Sequence, residues 1–101
     1  MGVEVRDNAE EQRYEALVDG EVAGFAEYHS RPGLIAIVHT EVADRFEGHG
    51  IASTLAKEAL EDARRKKLEV LPFCPFFNAY IGEHSEFLDL VPKSRREAFG
   101  L

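Results

Sequence analysis

Two glycines separated by one residue, Gly48 and Gly50, stand directly before a helical pattern that begins at Ile51. Glycine has no Cβ, so a ligand can approach the backbone closely, and the first N–H groups of a helix attract anions. The spacing therefore predicts a site for a phosphate or diphosphate. A Walker loop is excluded because no Gly-Lys-Ser/Thr follows, and a Rossmann fingerprint because Ser53 stands where its third glycine would be. A plain turn at a helix start is the alternative.

Three other residues have side chains suited to group-transfer chemistry. Cys74, the only cysteine, offers a thiol just before a predicted helix start, and the alternative is a small buried residue among apolar neighbours. His39 and Glu41 are two residues apart on a predicted strand, so both project from one face. They are candidates for a base and its orienting partner, or for a half-buried structural pair. No metal site is predicted, because no ligand spacing links the histidines, which are His29, His39, His49 and His84.

The elements that must position these residues follow from hydrophobic periodicity and turn chemistry. Strands are predicted over 3–8, over 12–30 as a hairpin around Asp19-Gly20, and over 34–42. The nearly continuous apolar run of 34–42 predicts that this strand is covered on both faces and is the most buried strand of the meander. An apolar stripe predicts a helix over 51–67, followed by a strand over 68–73 and two short helices over 76–91 that break near Gly82–Ser85. This order predicts one α+β domain spanning 1–101.

Composition limits the classes of partner. The chain has 101 residues, a formal net charge of −7 and a pI near 5.0, which disfavours binding to nucleic acid or to an anionic membrane. The basic run 64–67 is typical of a helix C-terminus, where cations complement the dipole. A single cysteine and the absence of a signal-peptide pattern at the N-terminus predict a cytoplasmic protein.

Four segments carry a resemblance to a known family. The pattern Arg45-x-x-Gly48-x-Gly50-x-Ala52 resembles the pyrophosphate loop of the GNAT superfamily of acetyltransferases. Together with "HTEV" (39–42), "GHGIASTLAKEAL" (48–60), "VLPFCPF" (70–76) and "AYIGEHSEFLDLV" (79–91), it is similar to the YjdJ-type minimal acetyltransferases, in order and over almost the whole length.

The resemblance implies an N-acetyltransferase that binds acetyl-CoA between two splayed parallel strands, 34–42 and 68–73. Thr40, Glu41 and Val42 would then face the pantetheine amides, and Tyr80 stands where many members place a general acid. The helices that larger members place after their first strand are missing, so the amine acceptor stays unidentified; the alternative is a non-catalytic CoA-binding module. A monomer or weak homo-oligomer is expected. The residues implied to hold the pyrophosphate are Arg45, Phe46, Glu47, Gly48, His49, Gly50, Ile51 and Ala52.

Overall fold

A computed structural model of the protein describes residues 2–101, which form one five-stranded mixed sheet. The strands pair in chain order. The first four are antiparallel and the last pair is parallel, which confirms the predicted α+β class. Their bounds are Glu4–Asn8 (β1), Arg13–Val18 (β2), Glu21–Arg31 (β3), Leu34–Val42 (β4) and Glu69–Pro72 (β5).

The crossover between β4 and β5 is an α-helix, α1 (Ile51–Arg65). The apolar stripe found in the sequence faces the core, and its buried members are Ile51, Leu55, Ala56, Ala59, Leu60 and Ala63. Helix α2 (Pro75–Glu83) follows β5, with Pro75 in its first turn, and ends at His84 as the sequence predicted. The second predicted short helix is a 3₁₀ segment, Ser85–Leu90. A four-residue helix, α3 (Lys93–Arg96), and 3₁₀ turns at Asp44–Phe46 and Glu97–Phe99 complete the helical segments of the described chain.

The prediction that β4 is covered on both faces is wrong. Only Ile35 and Ile37 of this strand are buried, whereas His39 and Glu41 are exposed on the other face. Among the four antiparallel strands, β2 has the largest buried share, with four of its six residues buried. The reason is that α1 packs on one face of the sheet only, and a strand needs helices on both faces to bury both of its sides.

A β-bulge in β4 decides which of its side chains face the helices. Tyr28 pairs with Ile37 and Glu27 pairs with His39, so Val38 has no partner in β3. The extra residue reverses the alternation, and Ile37 and Thr40 therefore share the helix-facing side. Beyond Ile37, β4 also has no strand partner on its β5 side, because β5 pairs only with Leu34–Ile37. This confirms the predicted splayed parallel pair.

A polar network ties the C-terminal end of α1 to the sheet. The Tyr14 hydroxyl donates to the Asp62 carboxylate at 2.6 Å, and Lys66 donates both to Asp62 at 2.7 Å and to Asp7 at 2.9 Å. Burial raises the pKa of Asp62, but hydrogen bonds from Lys66, Tyr14 and Arg65 outweigh burial and hold that pKa below its ordinary value. The helix is therefore fixed to β1 and β2 at its C-terminal end.

Candidate functional site

The two glycines before α1 both have left-handed backbone conformations. Gly48 has φ +82° and Gly50, the N-cap residue of α1, has φ +73°. A residue with a side chain rarely adopts these angles, which explains why glycine stands at both positions. A Cβ added at either glycine would meet no atom within 4 Å. The space in front of the turn is therefore open to a ligand.

The N-terminus of α1 has the features of an anion-binding site. No side chain caps Gly50, and the first turn contains no acidic residue. The first helical hydrogen bond runs from the Thr54 N–H to the Gly50 carbonyl at 3.0 Å, so the N–H groups before Thr54 have no partner within the helix. These N–H groups and the positive end of the helix dipole favour a phosphate at this turn.

A groove of about 330 Å³ lies at this turn and is called the glycine groove below. Most of the predicted pyrophosphate residues border it, together with two residues that the sequence analysis missed, Ser53 and Phe76. Phe76 belongs to the first turn of α2, and 38% of its surface is exposed. The sequence did contain a signal for Phe76, because two phenylalanines are adjacent at the helix start and only one of them can face the core. The predicted residues that border the groove are Val42, Phe46, Glu47, Gly48, Gly50, Ile51 and Ala52.

Two of the predicted loop residues are placed outside the groove. Arg45 forms an ion pair with Glu21 at the start of β3, and its guanidinium lies 4.8 Å from the centre of the Phe46 ring. His49 is exposed between the glycines and does not border the groove. Glu47, the acidic residue of the predicted loop, does border the groove.

Cys74 lies where β4 and β5 part. Its N–H donates to the Ile37 carbonyl at 2.8 Å, and its Sγ is 3.2 Å from the Thr40 hydroxyl. Only 2% of the residue is exposed. It is therefore a small buried residue, as one interpretation of the sequence had it, and it also stands directly before a helix, as the N-cap residue of α2.

His39 and Glu41 lie on the other face of β4. Their side chains are half exposed or more, and the His39 Nε2 is 3.2 Å from the Glu41 carboxylate, which agrees with the prediction that both project from one face. The His39 ring packs edge-on against Phe25, with the ring centres 6.3 Å apart. The bulge at Val38 directs this pair away from Thr40, so the structure brings His39 and Glu41 together but does not bring them to the Cys74 thiol.

Tyr80 does not border the glycine groove. Its ring stacks on His84 at 3.9 Å with an angle of 14°, and the His84 Nδ1–H donates to the Tyr80 carbonyl at 2.8 Å. The pair borders a second groove between α1 and the segment that follows α2. Burial, with the nearby carboxylates of Glu86 and Glu61, raises the pKa of the Tyr80 phenol, which keeps the phenol protonated.

Two further observations concern residues 2–101. No group of three or more His, Cys, Asp or Glu side chains in this part of the chain is arranged to hold a metal ion. None of the helices described combines the length and the apolar character needed to cross a membrane.

Comparisons with known proteins agree with this architecture. A family model described as GCN5-related N-acetyl-transferase matches residues 13–90, more than half of the chain. The NMR structure of a GCN5-like protein from Staphylococcus aureus superposes with a TM-score of 0.66, over 88% of this chain and 87% of that one, at 22% identity, and so shares the fold. No curated protein matches the sequence significantly. The matched residues include the glycine turn, the splayed strands and Cys74, and the chain therefore belongs to the GCN5-related N-acetyltransferase family.

Proposed function

We propose that the protein transfers an acetyl group from acetyl-CoA to a primary amine. The observation that carries this proposal is the glycine groove, which combines an uncapped helix N-terminus with two left-handed glycines and reaches the end of β4 at Val42. Membership of the acetyltransferase family supports the reaction class. The nature of the amine is open.

The residues present fit the diphosphate and pantetheine portions of CoA. The N–H groups at the start of α1 would hold the diphosphate, with Phe76 and Val42 as apolar walls. Beyond Ile37, the β4 backbone has no strand partner on the β5 side, and its N–H and C=O groups on that edge are available to the amides of the pantetheine arm. We assign this role to the edge from Thr40 to Val42.

The amine acceptor would approach from the open face of the sheet. Acetyl-CoA, when bound, supplies an acetyl group activated as a thioester. His39, paired with Glu41, would accept the proton that the amine must lose, and the Glu41 carboxylate would orient the imidazole and stabilise its charged form. Cys74 and Thr40 would line the thioester end from the helix side. We infer direct attack by the amine, because the neighbour of the thiol is a hydroxyl group and not a base.

Two measurements test this proposal. Calorimetry should show that the wild-type protein binds CoA and does not bind adenosine with equal affinity, because adenosine lacks the diphosphate. Release of free CoA thiol from acetyl-CoA should depend on an added primary amine, and His39→Asn should lower that rate about 10²-fold or more while leaving CoA affinity unchanged. Equal affinities for CoA and adenosine would contradict the assignment of the glycine groove.

A non-catalytic CoA-binding module is the second candidate. The observation that favours it is the sheet face on which His39 and Glu41 lie, because both residues are exposed there. Under this alternative the protein binds CoA tightly, but no amine or peptide in a broad panel stimulates thiol release. If the rate of thiol release rises with amine concentration and falls in His39→Asn, the protein is an enzyme.

A further inference from the structure

A further groove, called the C-terminal groove below, lies on a different face of α2 from the glycine groove. It has a volume of about 540 Å³ and is bordered by the end of β5, by α2 and by the C-terminal segment from Arg95 to Phe99. Along α2 its border is formed by Pro75, Asn78 and Ala79, whereas Phe76 belongs to the glycine groove. The two grooves have no lining residue in common.

We propose that the C-terminal groove is a binding site for a small aromatic carboxylate, with Phe73 and Phe99 in contact with the ring and Arg95 paired with the carboxylate. The inference does not rest on the proposed function, because these residues border neither the glycine groove nor the groove beside Tyr80.

Two phenylalanines form the aromatic part of the groove. The surface of Phe73 is 52% exposed, more than that of Val22 or Phe76, the other exposed large apolar residues. The Phe73 ring packs edge-on against Phe99, with the ring centres 5.1 Å apart and an angle of 70° between the planes. Aromatic rings pack favourably edge to face or offset, so a ligand ring can join this pair, and covering Phe73 removes apolar surface from water.

Arg95 is the charged residue that borders the groove. Its guanidinium lies 5.8 Å from the centre of the Phe99 ring, and within residues 2–101 it makes no side-chain hydrogen bond or ion pair. The next residue, Arg96, is already engaged, since its Nε–H donates to the Val91 carbonyl at 3.0 Å. A guanidinium can bind a carboxylate through two parallel hydrogen bonds. A single free cation with no carboxylate on the same border therefore favours a ligand with one negative charge.

The groove is already formed without a ligand. The Asn78 side-chain amide donates to the Phe99 carbonyl at 2.9 Å, which ties the C-terminal segment to α2. The Leu101 N–H donates to the Arg96 carbonyl at 2.8 Å, and a Cβ at Gly82 of α2 would lie 3.7 Å from the Leu101 side chain. A site whose walls are fixed before binding loses little entropy when the ligand enters.

The size of the groove favours a small molecule over a polypeptide. A volume of about 540 Å³ lies within the range of about 300–1,000 Å³ that is typical of small-molecule sites. Ala79 and Ala98 border the groove from opposite segments, and their short side chains leave room for a ring between them.

An NMR titration with phenylacetate and its neutral analogue phenylacetamide tests the charged half of the proposal. Phenylacetate should shift the backbone amide signals of Asn78, Ala79 and Phe99 to saturation, and it should bind about fivefold more tightly than phenylacetamide. Arg95→Gln should remove this preference by weakening phenylacetate alone. Arg31→Gln, in which an exposed arginine at the end of β3 loses the same charge away from the groove, is the matched control and should behave as the wild type.

Two further variants test the aromatic half and the location. Phe73→Leu should weaken both probes about fivefold, whereas Phe76→Leu, which changes an exposed phenylalanine outside this groove, should bind both as the wild type does. Ala98→Leu should abolish the shifts by filling the groove.

The proposal is overturned if phenylacetate at about 10 mM shifts none of these amides, or if Arg95→Gln keeps the full preference for the acid. It is also overturned if the groove binds a peptide that ends in phenylalanine but does not bind phenylacetate. None of these results bears on CoA binding at the glycine groove, which calorimetry measures separately.

Discussion

Replacing Gly50 with glutamate should remove CoA binding while the protein stays folded. The side chain would enter the glycine groove and add a negative charge at the N-terminus of α1, where the diphosphate is expected. The positive φ angle of Gly50 makes any side chain unfavourable there, at about 1–2 kcal/mol of folding free energy. A carboxylate at a helix N-terminus regains about 0.3–1 kcal/mol, so the variant should remain stable enough to study.

The expected signal can be worked out from linkage. CoA at 100 times its dissociation constant stabilises the folded wild type by about 2.7 kcal/mol. For a domain of this size, about 1 kcal/mol of added stability raises the Tm by roughly 4–8 °C, so CoA should raise the wild-type Tm by about 10–20 °C. Gly50→Glu should show no rise at the same ligand concentration, measured by differential scanning fluorimetry or circular dichroism.

Gly33→Glu is the matched control for this experiment. Gly33 lies in the β3–β4 turn with φ +72°, and a Cβ there would also meet no atom within 4 Å, so the same substitution introduces a similar backbone strain and the same charge. Its Tm without ligand should fall, but the rise with CoA should equal that of the wild type. The reasoning is refuted if Gly50→Glu unfolds cooperatively and still gains the full wild-type shift.

Four further predictions concern stability and chemistry. Because Cys74 is 2% exposed, Cys74→Ala should lower the Tm, yet it should keep CoA affinity and most of the amine-dependent turnover. Intact-mass analysis of the wild type with acetyl-CoA alone should show no acetyl adduct, and a stable adduct on the single cysteine would contradict direct attack. Gly24→Ala should destabilise the protein by about 1–3 kcal/mol and weaken CoA binding. The added Cβ would lie 2.7 Å from the carbonyl oxygen of Glu41 and 3.3 Å from Ile51 Cγ2 at the helix start. An unchanged Tm would disprove this close packing. The pKa of Asp62 is lower in the folded protein than its unfolded value of 3.8. The contribution of Asp62 to folding stability should therefore be complete when the pH is above 3.8, and it should be lost as the pH falls through the lower pKa of the folded state. Asp62→Asn should remove that part of the acid dependence in urea unfolding, and an unchanged pH profile would show that the contact with Lys66 adds no stability.

Local signals in the sequence determined the elements of the fold. The Asp19-Gly20 pair predicted its hairpin because both residues accept positive φ angles, and the structure gives them φ values of 51° and 79°. The apolar stripe from Ile51 to Ala63 predicted α1, because helical periodicity is written into neighbouring residues. The glycine turn was also visible, since the need for a left-handed backbone restricts the residue type at each position.

Contacts between distant segments decided how the site is arranged. No local pattern indicated the bulge at Val38, which arises from the pairing of β4 with β3 and sends His39 to the open face and Thr40 to Cys74. The same holds for Tyr80: the family resemblance implied a general acid, but the packing of α2 beside α1 places Tyr80 on the border of a groove that Lys57 also lines. The apolar run of β4 was overinterpreted for a related reason, because hydrophobicity records a preference for burial and does not record whether a second layer of helices exists to cover the strand.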